Sequence, residues 1–336
     1  MTGLYPHSHG CVVNGIHLRE ETKTIAEMMP DSYRKAYMGK WHLGNDESGT
    51  RPRQQGFDFA IGGDLRGHPK GHLFPWGDMP GLEDGEPGDS LTERLTDEAI
   101  GFVRRSQKKP FFLFLPFTAP HFPAQAHPDW KGKSANGAYG DVVEELDFRI
   151  GEILETLKNT QLEKKTIVVF LSDNGPEPGQ KNWARAGPYR GLKWSSPEGG
   201  TRVPCIIRWP GMIPAGKESH KLTTAIDLLP TLSHACGIEL EKVSKGIPKL
   251  DGLNVWGTLS GKSTQHPRTN LLYWQGWAVP QAIRVGDWKL YFDQVKEIQG
   301  SNKGPILIDL SKDPAEQKNL SARHPDKVKE MKTLAR

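Results

Sequence analysis

Two short runs of unbroken apolar residues bracket one amphipathic segment, and that arrangement restricts the chain to a strand–helix–strand core. Residues 111–115 read Phe-Phe-Leu-Phe-Leu after Pro110, and residues 167–171 read Ile-Val-Val-Phe-Leu after a Lys-rich turn. Runs of this length suit strands buried on both faces of a central parallel sheet. Between them Val143, Leu146, Ile150, Ile153, Leu154 and Leu157 recur every three or four residues, which predicts a helix over about 141–158 with one apolar stripe. The expected fold class is therefore α/β, a mostly parallel central sheet flanked by helices. A further strand is expected over 203–209, and a helix over 225–236 that stops at Gly237. Beyond Gly252 short strand-like pieces at 271–274, 281–285, 288–292 and 306–310 alternate with Gly and Asp turns, and a polar helix follows Pro325. That texture predicts a small antiparallel sheet plus helix, so the expected division is a main domain over 1–252 and an α+β subdomain over 253–336. The Gly/Pro-rich stretch 44–88 has the length and irregularity of a substrate-side loop.

Composition narrows the function classes. The net charge of +4 arises from 44 basic and 40 acidic residues, a balance that gives no reason to expect a nucleic-acid partner. The longest apolar runs are strand-sized, so no membrane span is expected. Cys11, Cys205 and Cys236 are too few and too scattered for a disulfide framework or a CxxC pair. The chain opens Met1-Thr2-Gly3-Leu4 without a basic-then-apolar leader.

The chemistry-bearing residues stand at strand ends. Ser172-Asp173-Asn174-Gly175 follows the 167–171 run directly, at the carboxyl end where open α/β sheets place ligands. Asp173 and Asn174 offer hard oxygen ligands for Ca²⁺ or Mg²⁺, and the same residues also suit Asx turns. Residues 111–117 lead into Thr118-Ala119-Pro120-His121-Phe122-Pro123, which holds an imidazole between two prolines, in a catalytic or a structural role. Lys40 and His42 are two apart in Lys40-Trp41-His42-Leu43-Gly44 and point the same way on an extended segment, as an anion site or as a surface Lys beside a half-buried His. Lys193 and Arg202 lie on a Gly-rich loop, where Gly199 and Gly200 let backbone approach a ligand. Together they suit a divalent cation and a tetrahedral anion. Trp76, Trp183 and Trp277 could stack on a sugar or aryl ring, or fill core.

In order, Lys40 to Gly44 with Gly56-Phe57-Asp58, Pro120-His121-Phe122-Pro123, Ser172 to Gly175, and Gly191-x-Lys193 with Glu198-Gly199-Gly200-x-Arg202-Val203-Pro204 resemble the successive motifs of the type I sulfatases of the alkaline-phosphatase-like superfamily. The resemblance continues through Asp251-Gly252-Leu253, Gly286-Asp287-Trp288-Lys289-Leu290 and Asp313-Pro314, and so covers essentially the whole chain. It implies hydrolysis of a sulfated carbohydrate or aryl sulfate, with Lys40 and Lys193 holding the nucleophile and sulfate oxygens. It implies that His121, with Lys193, assists departure of the alcohol or phenol, and that His42 acts as base when sulfate is released. Asp173 and Asn174 would be half of a Ca²⁺ site, and the family's location would be periplasmic, secreted or lysosomal.

In that family a Cys or Ser within C-x-P-x-R becomes formylglycine just before a Thr-Gly-x-Tyr-Pro segment, and this chain opens with Thr2-Gly3-Leu4-Tyr5-Pro6. The resemblance thus places the nucleophile, and the first strand with its metal-binding aspartates, upstream of Met1. None of the three cysteines has Pro and Arg at the required offsets. Pro197 departs from the aromatic often found in relatives. Three readings stand: a sulfatase whose sequence starts late, a non-catalytic remnant that binds sulfated ligands, and a phosphatase or phosphodiesterase of the same superfamily, against which the Lys/His set argues. Substrate identity and oligomeric state are not legible.

Overall fold

The computed structural model describes residues 1–45, 47–63, 71–77, 79–180, 183–243, 249–298 and 304–335. It falls into two compact units, one of Met1–Ile167, Trp209–Ile213 and Ala225–Trp256, the other of Val168–Arg208, Pro214–Thr224 and Gly257–Arg336. Among the described residues no helix is long and apolar enough to cross a membrane.

The first unit is built on three parallel strands, β1 (Arg34–Met38), β2 (Phe59–Ile61) and β3 (Phe111–Phe114), in the order β2-β1-β3. Helix α1 (Leu91–Arg105) makes the crossover into β3, because Leu91, Leu95, Ala99 and Phe102 form one stripe that closes over Met38 and Ile61. Trp76 belongs to this core. It is 1% exposed and its indole N–H donates to the Leu82 carbonyl at 2.8 Å, so its stacking role falls away.

Helix α2 (Gly137–Asn159) occupies the predicted helical stretch with a rotated face. Val142 and Leu146 point inward with Glu145 and Arg149, whereas Val143 is exposed. The inward polar groups are partnered: Glu145 accepts from Ser90 Oγ and from the His127 N–H (2.8 Å), and Arg149 pairs with Glu93 and with Glu152 (3.0 Å). Charges paired in this way allow an inner face that an apolar pattern does not mark, although the buried Arg149 Nε finds no partner among the described residues. The predicted 225–236 helix is a short turn followed by α3 (Leu228–Ala235), and Gly237 at φ +71 ends it.

In the second unit, β4 (Val168–Leu171) pairs antiparallel with β5 (Cys205–Arg208). The sequence reading placed the 167–171 run in a parallel sheet, buried on both faces. Instead its partner returns through the 172–204 loop, and Phe170 is partly exposed. The antiparallel sheet expected beyond Gly252 is present as the meander β6 (Asn270–Gln275), β7 (Val279–Val285), β8 (Trp288–Tyr291) and β9 (Ile306–Asp309). Gly286, at φ +58, turns β7 into β8. Helix α4 (Pro325–Leu334) lays Val328 and Met331 on Ile283, Leu290 and Leu307 of this sheet.

Candidate active site

In the first unit, β1 runs straight into Gly39-Lys40-Trp41-His42. A Cβ at Gly39 would sit 2.2 Å from the Pro116 carbonyl oxygen, so only glycine lets this backbone lie against the extension of β3. There the Lys40 N–H donates to Pro116 O at 2.9 Å. Trp41 is buried, donates from its indole to Thr50 O at 3.0 Å, and meets the Tyr37 ring edge-on at 5.0 Å. With Trp41 anchored inward, Lys40 and His42 are left half-buried on the other side of the extended segment. Phe57 of the Gly-Phe-Asp motif belongs to the same aromatic cluster, and Asp58 accepts the Lys35 N–H at 2.8 Å, which makes that motif structural.

His121 follows β3, between cis peptide bonds at Pro120 and Pro123. Its N–H donates to Thr118 O at 3.0 Å, and its Nδ1 lies 2.8 Å from the Phe122 carbonyl. A carbonyl only accepts, so Nδ1 carries the proton and Nε2 is the nitrogen that can exchange one. The ring stacks on Phe122 at 4.8 Å.

Sequence reasoning missed the group beneath it. His72 is buried, with Nε2 2.6 Å from the His121 carbonyl and Nδ1 3.0 Å from Thr118 Oγ1. Nε2 must donate, so Nδ1 accepts the Thr118 hydroxyl proton. The His72 N–H donates to Gln125 Oε1 at 3.0 Å, and burial lowers the imidazole pKa. His72 lies in the irregular 44–88 stretch, where no predicted strand or helix marks a side chain as buried.

In the second unit, β4 delivers Ser172-Asp173-Asn174-Gly175. Ser172 Oγ donates to Asn174 O at 3.0 Å, and the Gly175 N–H donates to Gly200 O at 3.0 Å. A Cβ at Gly175 would meet Gly199 O at 1.9 Å, so this turn and the Glu198-Gly199-Gly200 turn touch backbone to backbone. The Lys193 N–H donates to Pro176 O at 2.9 Å, and its ammonium lies 2.8 Å from Glu177 Oε2, a partner absent from the sequence reading. Within the second unit Asp173, Asn174 and Lys193 share one set of packed turns; within the first, Lys40 and His121 follow the paired strands β1 and β3, with His42 two residues beyond Lys40.

The metal expectation fits in kind and not in number. Asp173 is exposed and Asn174 half-buried, both hard oxygen donors, but Ca²⁺ takes about six to eight oxygens. Among the described residues no group of three or more His, Cys, Asp or Glu is placed to hold a metal.

Glu198 turned out to be an internal hub. Its carboxylate accepts from Lys289 Nζ (2.9 Å), Arg284 NH1 (3.0 Å) and Tyr273 OH (3.3 Å), and its N–H donates to Glu316 Oε2 at 2.8 Å. Burial by itself raises the Glu198 pKa, and Lys289 and Arg284 beside it more than offset this, so the carboxyl is held below its usual range. Pro197 fits without distortion. It caps the short helix Glu198–Thr201 at φ −55, close to the value its ring imposes.

The cysteines are poor nucleophiles. Burial pushes the Cys11 thiol up to about 11, and raises Cys205 and Cys236 as well.

The sulfatase family model matches residues 1–238. A steryl-sulfatase of Rattus norvegicus is 33% identical over 73% of this chain and 48% of its own length. An N-acetylgalactosamine-6-sulfatase of Canis lupus familiaris is 32% identical over 96% of this chain and 71% of its own length. The chain spans about half the length of the rat steryl-sulfatase it matches. A solved structure from Bacteroides thetaiotaomicron, described under metabolism of multiple glycosaminoglycans, superposes with a TM-score of 0.80 at 27% identity, covering 100% of this chain and 86% of that one. The Lys40, His121, Asp173 and Lys193 motifs, all inside the matched region, and the shared fold lead to one conclusion: this chain belongs to the sulfatase family.

Proposed function

We propose that the chain provides the catalytic body of a sulfuric ester hydrolase that releases inorganic sulfate from a sulfated sugar or aryl ester. The observation that carries this is that Lys40, His42, His121, Asp173, Asn174 and Lys193 all stand at their motif positions inside the matched region. Residues 1–252 form the catalytic domain and 253–336 a smaller subdomain. The family setting is periplasmic, secreted or lysosomal. Sugar substrates are favoured by the N-acetylgalactosamine-6-sulfatase relative.

Lys40 and Lys193 place positive charge against the sulfate oxygens, where negative charge grows as the S–O bond opens. His121, as imidazolium, gives its Nε2 proton to the departing oxygen, assisted by Lys193. It returns to the Nδ1–H form that the Phe122 carbonyl stabilises. His42 takes a proton in the step that frees sulfate. Asp173 and Asn174 would contribute to holding Ca²⁺, which would supply further positive charge for the sulfate oxygens. A formylglycine would supply the oxygen that accepts the sulfuryl group, and Lys40 and Lys193 would hold it.

The raised thiols and the missing C-x-P-x-R favour a second reading for the chain by itself, a sulfated-ligand binder without turnover. A chromogenic aryl sulfate assay with calcium separates the two. The chain as given should be inert, and a form extended with a matured C-x-P-x-R segment should hydrolyse the ester. Turnover by the chain alone would overturn the nucleophile assignment, and silence from the extended form would overturn the sulfatase reading.

A further inference from the structure

Trp194 breaks two rules at once. It is 70% exposed, and its backbone sits at φ +75, a region bulky side chains rarely adopt. The turn around it is fully tied: the Ser195 N–H donates to Leu192 O at 3.1 Å, the Leu192 N–H donates to Ser195 Oγ at 3.0 Å, and the preceding Lys193 is pinned to Pro176. Trp194 is the third residue of this Leu192-to-Ser195 turn, where a positive φ favours glycine. An indole held outward on a strained, well-bonded turn neither fills core nor relaxes the backbone, and such strain collects at ligand sites.

Its neighbour supplies the chemistry. The Lys193 ammonium lies 5.2 Å from the centre of the Trp194 ring, within cation–π range, and one of its three donors is used by Glu177. An anion taken by that ammonium brings whatever carries it alongside the indole.

Resting on the sulfatase reading, we infer that Trp194 is a specificity-determining stacking residue. It selects sulfate esters borne on a flat or CH-rich ring, a pyranose or an aryl group, over sulfates of small acyclic alcohols.

The test is an NMR titration of the chain with phenyl sulfate, methyl sulfate and inorganic sulfate. Wild type should bind phenyl sulfate about two- to tenfold more tightly than methyl sulfate, the range of one aromatic contact. Trp194→Gly suits the turn's φ and so keeps its shape, and should bring that ratio close to one. Trp194→Phe should retain most of it, and Lys193→Met should weaken all three ligands. A ratio unmoved by Trp194→Gly would overturn the assignment and leave the sulfatase reading standing. Failure of wild type to bind any of the three would overturn both.

Discussion

Lys289 is accommodated in the interior by two carboxylates and two aromatic faces. It is fully buried, 2.9 Å from Glu198 and 3.5 Å from Glu316, with the Tyr273 and Tyr291 rings at 4.2 and 5.1 Å. Lys289→Met would leave Glu316 without its ammonium and Glu198 with Arg284 and the Tyr273 hydroxyl. We expect a loss of about 3–5 kcal/mol in urea unfolding, with part recovered by adding Glu198→Gln. His72 makes a different prediction. Burial lowers its pKa, so below the ordinary value of about 6.5 the unfolded chain binds more protons than the folded one, and stability must fall as pH drops. His9, lowered to about 4 chiefly by burial, acts in the same direction. Thermal melts from pH 7 to pH 5 should show the fall, and His72→Gln, which does not titrate, should reduce it and leave the share due to His9.

The elements that carry the site are packed turns rather than strands. The Gly175 turn lies on the Gly199 turn with no room for a Cβ, and Arg190 reaches across to the Ala315 carbonyl at 2.8 Å. Gly175→Ala should therefore cost about 1–3 kcal/mol in chemical denaturation and displace Asn174. Should the extended protein show a calcium-dependent rise in melting temperature, Gly175→Ala would reduce it and Asp173→Ala would remove it. Much of this level was legible in sequence. The meander follows from short apolar pieces between Gly and Asp turns, its closing helix from the polar stretch after Pro325 and the helix over 141–158 from a three- to four-residue period, and the motifs fell at strand ends. The inner face of α2 was not legible, because Glu145 and Arg149 look solvent-facing until Ser90 and Glu93 are brought to them.

Turnover is a property of the whole molecule, and leaving-group dependence tests it best. In an extended, matured protein, His121→Ala should lower kcat by about 10²–10⁴-fold on a sugar sulfate, whose alkoxide needs a proton. The loss should be much smaller on a nitrophenyl sulfate, whose phenoxide leaves unaided. Equal losses on both would remove His121 as the acid. The sequence by itself determined the family, helix α2, strands β3 to β5 and the C-terminal meander with its helix, since each rests on a pattern spanning a few neighbouring positions; the six candidate residues came with the family motifs, and β1, β2 and α1 were not read from it. Only the tertiary structure decided that β4 pairs antiparallel with β5, that His72 braces the His121 loop, and that Trp194 faces solvent beside Lys193. It also decided that Glu198 meets partners 91 and 118 positions away in Lys289 and Glu316. Burial and pairing depend on which distant segments share an interior, and local spacing carries no record of that choice.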